Sequence, residues 1–172
     1  MSPMPNKDLG PCSVLWDQAT ANLELNPTFG GVTFKDEVQK VDILEDQQGV
    51  TPVDAVHVGR LVEVVVPMTR SLLTQLEKGI MGSVQTGTTM KVTNEVGDAV
   101  FANAKELIIK PIVDGVAAAT STWLHVHRCY PFSNLEWVYD ASGQRVTNVV
   151  FQAYPDDATG RVNEMWRLGA NA

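Results

Sequence analysis

The sequence has few of the residues that mark secreted, membrane-spanning or metal-stapled proteins. Its 172 residues include two cysteines, Cys12 and Cys129, which lie far apart and form no CxxC pair. That spacing excludes a zinc knuckle and a disulfide-dense scaffold; it leaves one long-range disulfide open, and we interpret both residues as free thiols. No apolar run reaches the roughly 18 residues of a membrane helix, and the N-terminus lacks the apolar core of a signal peptide. We therefore expect a soluble protein with no membrane partner.

Positive charge is also scarce. Thirteen Lys and Arg residues stand against 20 Asp and Glu residues, which gives a formal net charge of -7, and the basic residues are scattered singly. A tight grip on nucleic acid needs clustered Lys and Arg that displace counterions from the phosphates, so we expect no specific DNA or RNA binding. The sequence has no GxSxG, Walker or dinucleotide fingerprint. We therefore predict no enzymatic activity, no catalytic residues and no cofactor.

The clearest secondary-structure pattern in the sequence lies in residues 49–79. Residues 51–66 alternate with period two, which predicts a long strand whose shared face carries five valines: Val56, Val58, Val62, Val64 and Val66. Pro67 cannot donate a ladder hydrogen bond, so the strand should end there or lie at an edge. Thr69 or Ser71 is predicted to cap a following helix. That helix shows leucines and isoleucine at helical spacing: Leu72, Leu73, Leu76 and Ile80.

The rest of the chain is dominated by extended segments. Residues 1–11 predict an N-terminal arm, residues 13–17 and 19–25 a short strand pair, and residues 32–44 one side of a long hairpin with a solvated middle. Later strands are predicted at 107–109 with an abrupt end at Pro111, and at 121–130, 146–154 and 162–168. Residues 79–96, with a Gly/Thr-rich segment at 82–96, predict a loop excursion with at most a weak strand. We count seven or eight strands. The predicted fold is mainly β, an antiparallel β-sandwich or barrel with one short flanking α-helix and a long hairpin loop, formed by a single domain at residues 12–172.

Residues 121–130 contain the strongest candidate for a metal site. Alternation places His125, His127 and Cys129 on one face of the strand, and two such histidines could both reach a metal ion, as in cupin-type barrels. Cupins need a carboxylate about four residues after the second histidine, whereas the next acid here is Glu136. We therefore predict packing roles for His125 and His127 and no metal.

Three pairs of neighbouring acids could in principle support acid–base chemistry or bind a divalent ion: Asp36 with Glu37, Glu45 with Asp46, and Asp156 with Asp157. Each pair falls in a predicted turn or hairpin tip. Acids at such positions are usually solvated, so we assign them no catalytic role.

The order of segments along the chain resembles the tail tube, or major tail, proteins of tailed bacteriophages. The segments are LGPCSVLW, NPTFGGVTF, LEDQQGVTPVDAVHVGRLVEVVV, RSLLTQLEKG, AKELIIKP and VVFQAYPDD, and they span nearly the whole chain. The resemblance implies a β-sandwich or barrel subunit that assembles into hexameric rings, which stack into a hollow tube for genome ejection. It also implies location in the virion tail after assembly in the host cytoplasm.

The resemblance further implies which residues and partners take part in assembly. Candidate contacts between copies lie in two loops and the hairpin: Asn26, Pro27, Phe29, Asp36, Glu37, Asp46 and Asp54. The implied partners are further copies of the chain and other tail proteins such as tape measure, sheath, terminator and baseplate. DNA would pass through the channel without specific binding, which suits an acidic protein. Exposed strand edges would be satisfied by pairing between neighbouring copies.

Two other interpretations fit parts of the pattern. A tail terminator, a tail completion protein or the tube subunit of a contractile injection system would share the same fold. A small metal-dependent β-barrel enzyme of cupin type would use His125 and His127 as ligands. Metal bound in stoichiometric amount, and lost when both histidines are replaced by alanine, would favour the enzyme.

Overall fold

A computed structural model describes residues 11–17, 23–25, 30–69, 72–94, 96–97, 99–137, 145–158 and 160–170. The predicted N-terminal arm, apart from Pro11, lies outside these residues, as do the contact candidates Asn26, Pro27 and Phe29. Within the described part of the chain, no helix is both long and apolar enough to span a membrane.

The secondary structure is mainly β, as predicted. The strands are β1 (Cys12–Trp16), β2 (Leu23–Glu24), β3 (Thr33–Leu44), β4 (Pro52–Met68), β5 (Ser83–Thr86), β6 (Thr89–Val92), β7 (Lys105–Val113), β8 (Val116–Ala117), β9 (Leu124–Pro131), β10 (Thr147–Tyr154) and β11 (Trp166–Leu168), and the helices are α1 (Leu73–Gly79) and α2 (Val100–Asn103). The eleven described strands exceed the predicted seven or eight. The excess consists of two- to four-residue strands that carry too little alternation to be recognised.

Nine of these strands form one antiparallel sheet. Its order is β2-β1-β7-β9-β10-β4-β3, with β8 beside β7 and β11 beside β9. β10 and β11 pair with successive parts of β9: β10 pairs with residues 128–131 and β11 with residues 124–126. No ladder joins β2 to β3 within the described chain, so the sheet stays open rather than closing as a barrel. The predicted long hairpin is confirmed as β3 and β4.

The sheet curls around its apolar face. Trp16 on β1 and Phe151 on β10 lie three strands apart in the sheet, yet their ring centroids are 4.8 Å apart. The buried cluster inside this curl is Val14, Trp16, Leu25, Val62, Val64, Val66, Met68, Leu76, Leu107, Ile109, Val126, Cys129, Val149, Phe151 and Ala153. Apolar contacts between strands distant in the sheet order therefore fix the curvature.

Helix α1 covers part of this face. Leu76 is 3 % exposed, and Gly79 brings the end of the helix against Val149 of β10. The N-cap residue is Leu72, which makes no side-chain cap hydrogen bond, so Thr69 is not the N-cap; Ser71 lies outside the described residues. Packing of one face on the sheet stabilises this short helix.

Both prolines predicted to end strands lie inside them. β4 continues through Pro67 to Met68, and β7 continues through Pro111 to Val113. Pro67 pairs only with β10, because the β3 ladder reaches β4 no further than Val65. Proline has no backbone N–H, so a strand tolerates it where no neighbouring strand accepts a hydrogen bond from that position. Of the two alternatives predicted for Pro67, the end of a strand or a position at an edge, the second is the one observed.

Two local expectations are corrected by hairpin geometry. Val62, Val64 and Val66 are buried, whereas Val56 and Val58 are 50% and 62% exposed, because residues 38–58 of the hairpin extend beyond the rest of the sheet and are exposed on both faces. The predicted loop excursion, which allowed at most a weak strand, contains the β5-β6 hairpin.

Candidate functional site

The most exposed regular structure is the outer half of the β3-β4 hairpin. We call residues 38–58 the hairpin arm; every residue in it is exposed. At about 3.4 Å per residue, its strands extend roughly 20 Å beyond the rest of the sheet. An isolated two-stranded hairpin is only marginally stable in water, so an arm of this length is expected to gain from a covering partner.

The hairpin arm is apolar to an unusual degree for a fully exposed segment. Its exposed aliphatic residues are Val38, Val41, Ile43, Leu44, Val50, Val53, Val56 and Val58, with exposed fractions from 42% to 92%. Val41 lies directly across from Val56, and Val38 points to the opposite face from Val41. Both faces of the arm therefore present apolar surface, which marks an interaction site when it is contiguous.

The arm also carries unpaired strand edges. β3 is the last strand in the sheet order, and β10 pairs with β4 only at residues 63–68, so residues 52–62 of β4 have β3 as their one ladder partner within the described chain. An open groove of about 710 Å³ lies beside this edge, between β4 and the end of β10. Free backbone donors and acceptors of this kind are a template for another strand.

The four predicted contact residues that the structure describes fall into two groups. Asp46 and Asp54 are exposed on the hairpin arm. Asp36 and Glu37 lie within β3 at the base of the arm rather than in a turn. Glu37 forms an exposed ion pair with Lys35 at 2.8 Å, and Asp36 contacts Arg60 at 3.0 Å. Asp46 and Asp54 are thus accessible at the surface, whereas Asp36 is engaged within the chain.

His125 and His127 lie together in a second, buried cluster. They are 3% and 4% exposed, and both face Glu106 of β7: His125 Nδ1 is 3.1 Å and His127 Nδ1 is 3.8 Å from Glu106 Oε1. Cys129 was predicted to share their face of the strand, but it does not. A register shift between β7 and β9 turns Cys129 into the apolar cluster beside Val126.

The segment before and within β11 closes the other side of this cluster. His127 Nε2 is 3.3 Å from Glu164 Oε1, a distance suited to an ion pair although the atoms are not aligned for a hydrogen bond. Glu164 in turn accepts two hydrogen bonds from Arg167 at 2.6 Å. Arg161 Nη1 lies 3.4 Å from His127 Nδ1. A guanidinium only donates, so this contact favours a ring proton on Nε2, facing Glu164.

Ionic contacts shift the pKa values of the two glutamates. Burial raises the pKa of Glu106, but its interactions with the rings of His127 and His125 outweigh this effect, so the net pKa lies below the ordinary value. The hydrogen bonds from Arg167 lower the pKa of Glu164 as well. Both glutamates are therefore held as carboxylates at neutral pH.

This cluster has the geometry of an ion-pair network and not of a metal centre. No three His, Cys, Asp or Glu side chains in the described ranges converge to share a metal ion. The guanidinium beside His127 also opposes a second cation at that nitrogen. His125 Nε2 is buried and has no hydrogen-bond partner among the residues described. The enzyme alternative therefore gains no support from these histidines.

Sequence reasoning missed the acids of this network. Glu106, Asp156 and Glu164 come from three separate segments and meet only in the folded sheet. The pair of Asp156 and Asp157 was expected to be solvated, yet Asp156 is 5% exposed and its Oδ1 accepts a 2.8 Å hydrogen bond from Arg128. No local spacing could have indicated this, because β9 and the residues after β10 are brought together by the fold.

Comparison with known proteins gives no family for this chain. No model of a known protein family matches it, and no curated protein matches it at a significant level. The resemblance to tail tube proteins therefore stays a prediction from the order of its sequence segments.

Proposed function

We propose that this chain is a structural subunit of a bacteriophage tail tube. Copies would associate into hexameric rings, and the rings would stack around a channel through which the genome is ejected. The observation that supports this best is the hairpin arm, which is fully exposed, apolar on both faces and edged by unpaired strands. Such a segment becomes stable when another copy covers it.

The apolar surface of the arm is large enough to drive association. Fully burying a Val, Leu or Ile side chain is worth about 1.5–3 kcal/mol. Eight aliphatic side chains that are each about half exposed would then contribute roughly 6–12 kcal/mol per arm. Loss of translational and rotational freedom opposes this gain, so several arms acting together in a ring are needed for firm assembly.

A tail tube must also let DNA pass through its channel, and the charge of the chain fits this requirement. A net charge of -7 repels the phosphate backbone, so DNA would slide through a channel lined by this protein without being held. Other tail proteins, such as tape measure and terminator, would contact the ends of the tube. Its place of action would be the virion tail, after assembly in the host cytoplasm.

The test compares assembly of the wild-type protein with an arm variant. Negative-stain electron microscopy and light scattering over a concentration series should show rings or hollow tubes for the wild type. Val41→Lys combined with Val56→Lys places charge on one apolar patch and should shift assembly to at least tenfold higher concentration. Val116→Lys changes a 69% exposed valine on the β7-β8 hairpin and serves as the matched control. A wild-type protein that stays monomeric, or an arm variant that assembles like the control, contradicts the proposal.

A further inference from the structure

The residues after β10 cross the sheet without inserting into its core. We call residues 155–158 and 160–168 the C-terminal strap; it ends in β11, which adds three residue pairs to β9. Asp156 is the one residue of the described strap that is buried. Met165 and Trp166 pack only part of their surface against the core cluster. Apolar burial is therefore a minor part of what fastens the strap.

Charged contacts fasten the strap to β9. Arg128 of β9 donates to Asp156 Oδ1 through Nε and to Asp157 Oδ1 through Nη2, both at 2.8 Å. Further along, Glu164 faces His127 at 3.3 Å. Two backbone hydrogen bonds tie these anchor points together inside the strap: Asp156 N–H donates to Glu164 O, and Asn163 N–H donates to Asp156 O. Loss of charge at one anchor is thus expected to weaken the other.

The strap also holds the base of the hairpin arm. The Trp166 indole Nε1 donates to Asp36 Oδ2 at 2.9 Å, and the same oxygen accepts from Arg60 at 3.0 Å. The Trp166 ring meets Phe34 edge-on, with centroids 5.4 Å apart. These contacts join β11 to β3 although the two strands are not neighbours in the sheet. The position of the strap therefore determines how firmly the arm base is held.

We propose that the C-terminal strap is an ionic clasp, which holds the base of the hairpin arm against the body and opens in acid while the sheet stays folded. The groups that face it are Glu106 from β7, His125, His127 and Arg128 from β9, Asp36 and Arg60 from the arm base, and Asp156, Asp157, Arg161, Glu164 and Arg167 from the strap itself. The clasp works within one chain, so it does not depend on tube assembly.

The direction of the pH effect follows from the acids in the clasp. Burial raises the pKa of Asp156, but the hydrogen bond from Arg128 outweighs it and the pKa is lowered, as it is for Glu106 and Glu164. A lowered folded-state pKa stabilises the fold above the ordinary value, about 3.9 for Asp and 4.3 for Glu. That stabilisation is lost as the pH falls through the lowered values. The core cluster contains one ionisable side chain, Cys129, which stays neutral in acid.

Hydrogen exchange read by mass spectrometry tests the clasp on the intact chain. Peptides covering the strap, residues 33–38 at the arm base, and β7 are followed from pH 7 to pH 3, with correction for intrinsic exchange. We expect the strap and the arm base to lose protection at least tenfold below about pH 4.3, while β7 keeps its protection. Simultaneous loss in all three peptides would show a single unfolding event and overturn the proposal.

Two variants sharpen the test. Glu164→Gln removes the strap carboxylate at every pH, so the strap should lose protection at least tenfold already at pH 7. Glu37→Gln makes the same chemical change in the exposed pair with Lys35 and should behave like the wild type. Equal protection of the strap in the two variants would contradict the ionic role of Glu164. If Glu164→Gln does not fold, the wild-type titration alone decides.

Discussion

Replacing Gly79 by alanine sets helix propensity against packing at one position. Gly79 is the last residue of α1 and is buried against β10. A Cβ atom built on it would lie 2.8 Å from Val149 Cγ2 and 3.2 Å from Val149 Cγ1. Val149 is fully buried and β-branched, so its χ1 has little freedom to turn aside. One of the two groups must therefore move.

The magnitudes predict that packing dominates. Alanine gains at most about 1 kcal/mol over glycine within a helix, and less at its last residue. Forcing an extra methyl group into a packed core costs about 1–3 kcal/mol. We expect Gly79→Ala to be destabilised by about 1 kcal/mol, which with a urea m-value of about 2 kcal/mol/M lowers the unfolding midpoint by about 0.5 M.

A double-mutant cycle with Val149→Ala identifies the cause. Val149→Ala alone leaves a cavity and destabilises the protein, but the new methyl group of Ala in place of Gly79 should partly fill it. The coupling between the two substitutions is expected to be favourable by about 1 kcal/mol or more. Urea unfolding followed by circular dichroism measures all four proteins. A midpoint for Gly79→Ala above that of the wild type would refute the packing argument.

Two further predictions use the ionisable groups. Asp156→Asn should lower the urea unfolding midpoint at pH 7. Because the pKa of Asp156 is lowered in the folded protein, the difference in midpoint between variant and wild type should shrink as the pH falls below about 3.9. A difference in midpoint that persists at pH 2.5 would contradict this prediction. Burial raises the pKa of both thiols, that of Cys129 well above its ordinary value, and Cys12 is only partly buried whereas Cys129 is fully buried. A thiol reagent should therefore label Cys12 at least tenfold faster in the native protein, and equal rates would show an opened core.

Much of the fold follows from short-range pattern. Alternation identified the long hairpin, the strand at 146–154 and the buried run at 107–109, because a half-buried strand needs apolar residues on one face. The boundary at Pro111 was wrong, and for Pro67 the edge alternative was the one observed, since a strand accepts proline where an edge is free, and edges are known only once the strand order is known. The β5-β6 hairpin was missed because its strands are short and polar.

For the candidate sites too, the sequence indicated local features but not contacts between distant segments. The resemblance to tail tube proteins implied contact roles for Asp46 and Asp54; the structure shows both exposed on the hairpin arm, and their contact role stays a prediction. The alternation of 121–130 placed the two histidines on one face but missed the register shift that sends Cys129 into the core. It also could not supply their partners, since Glu106 and Glu164 lie on other segments.

The sequence by itself determined the class of the fold and the long hairpin, because each depends on residues near one another in the chain. Only the tertiary structure decided the strand order, the curl that brings Trp16 to Phe151, and the ionic clasp around His127. Those features depend on contacts between segments distant in the chain, and backbone pairing and burial select them only when the whole sheet forms.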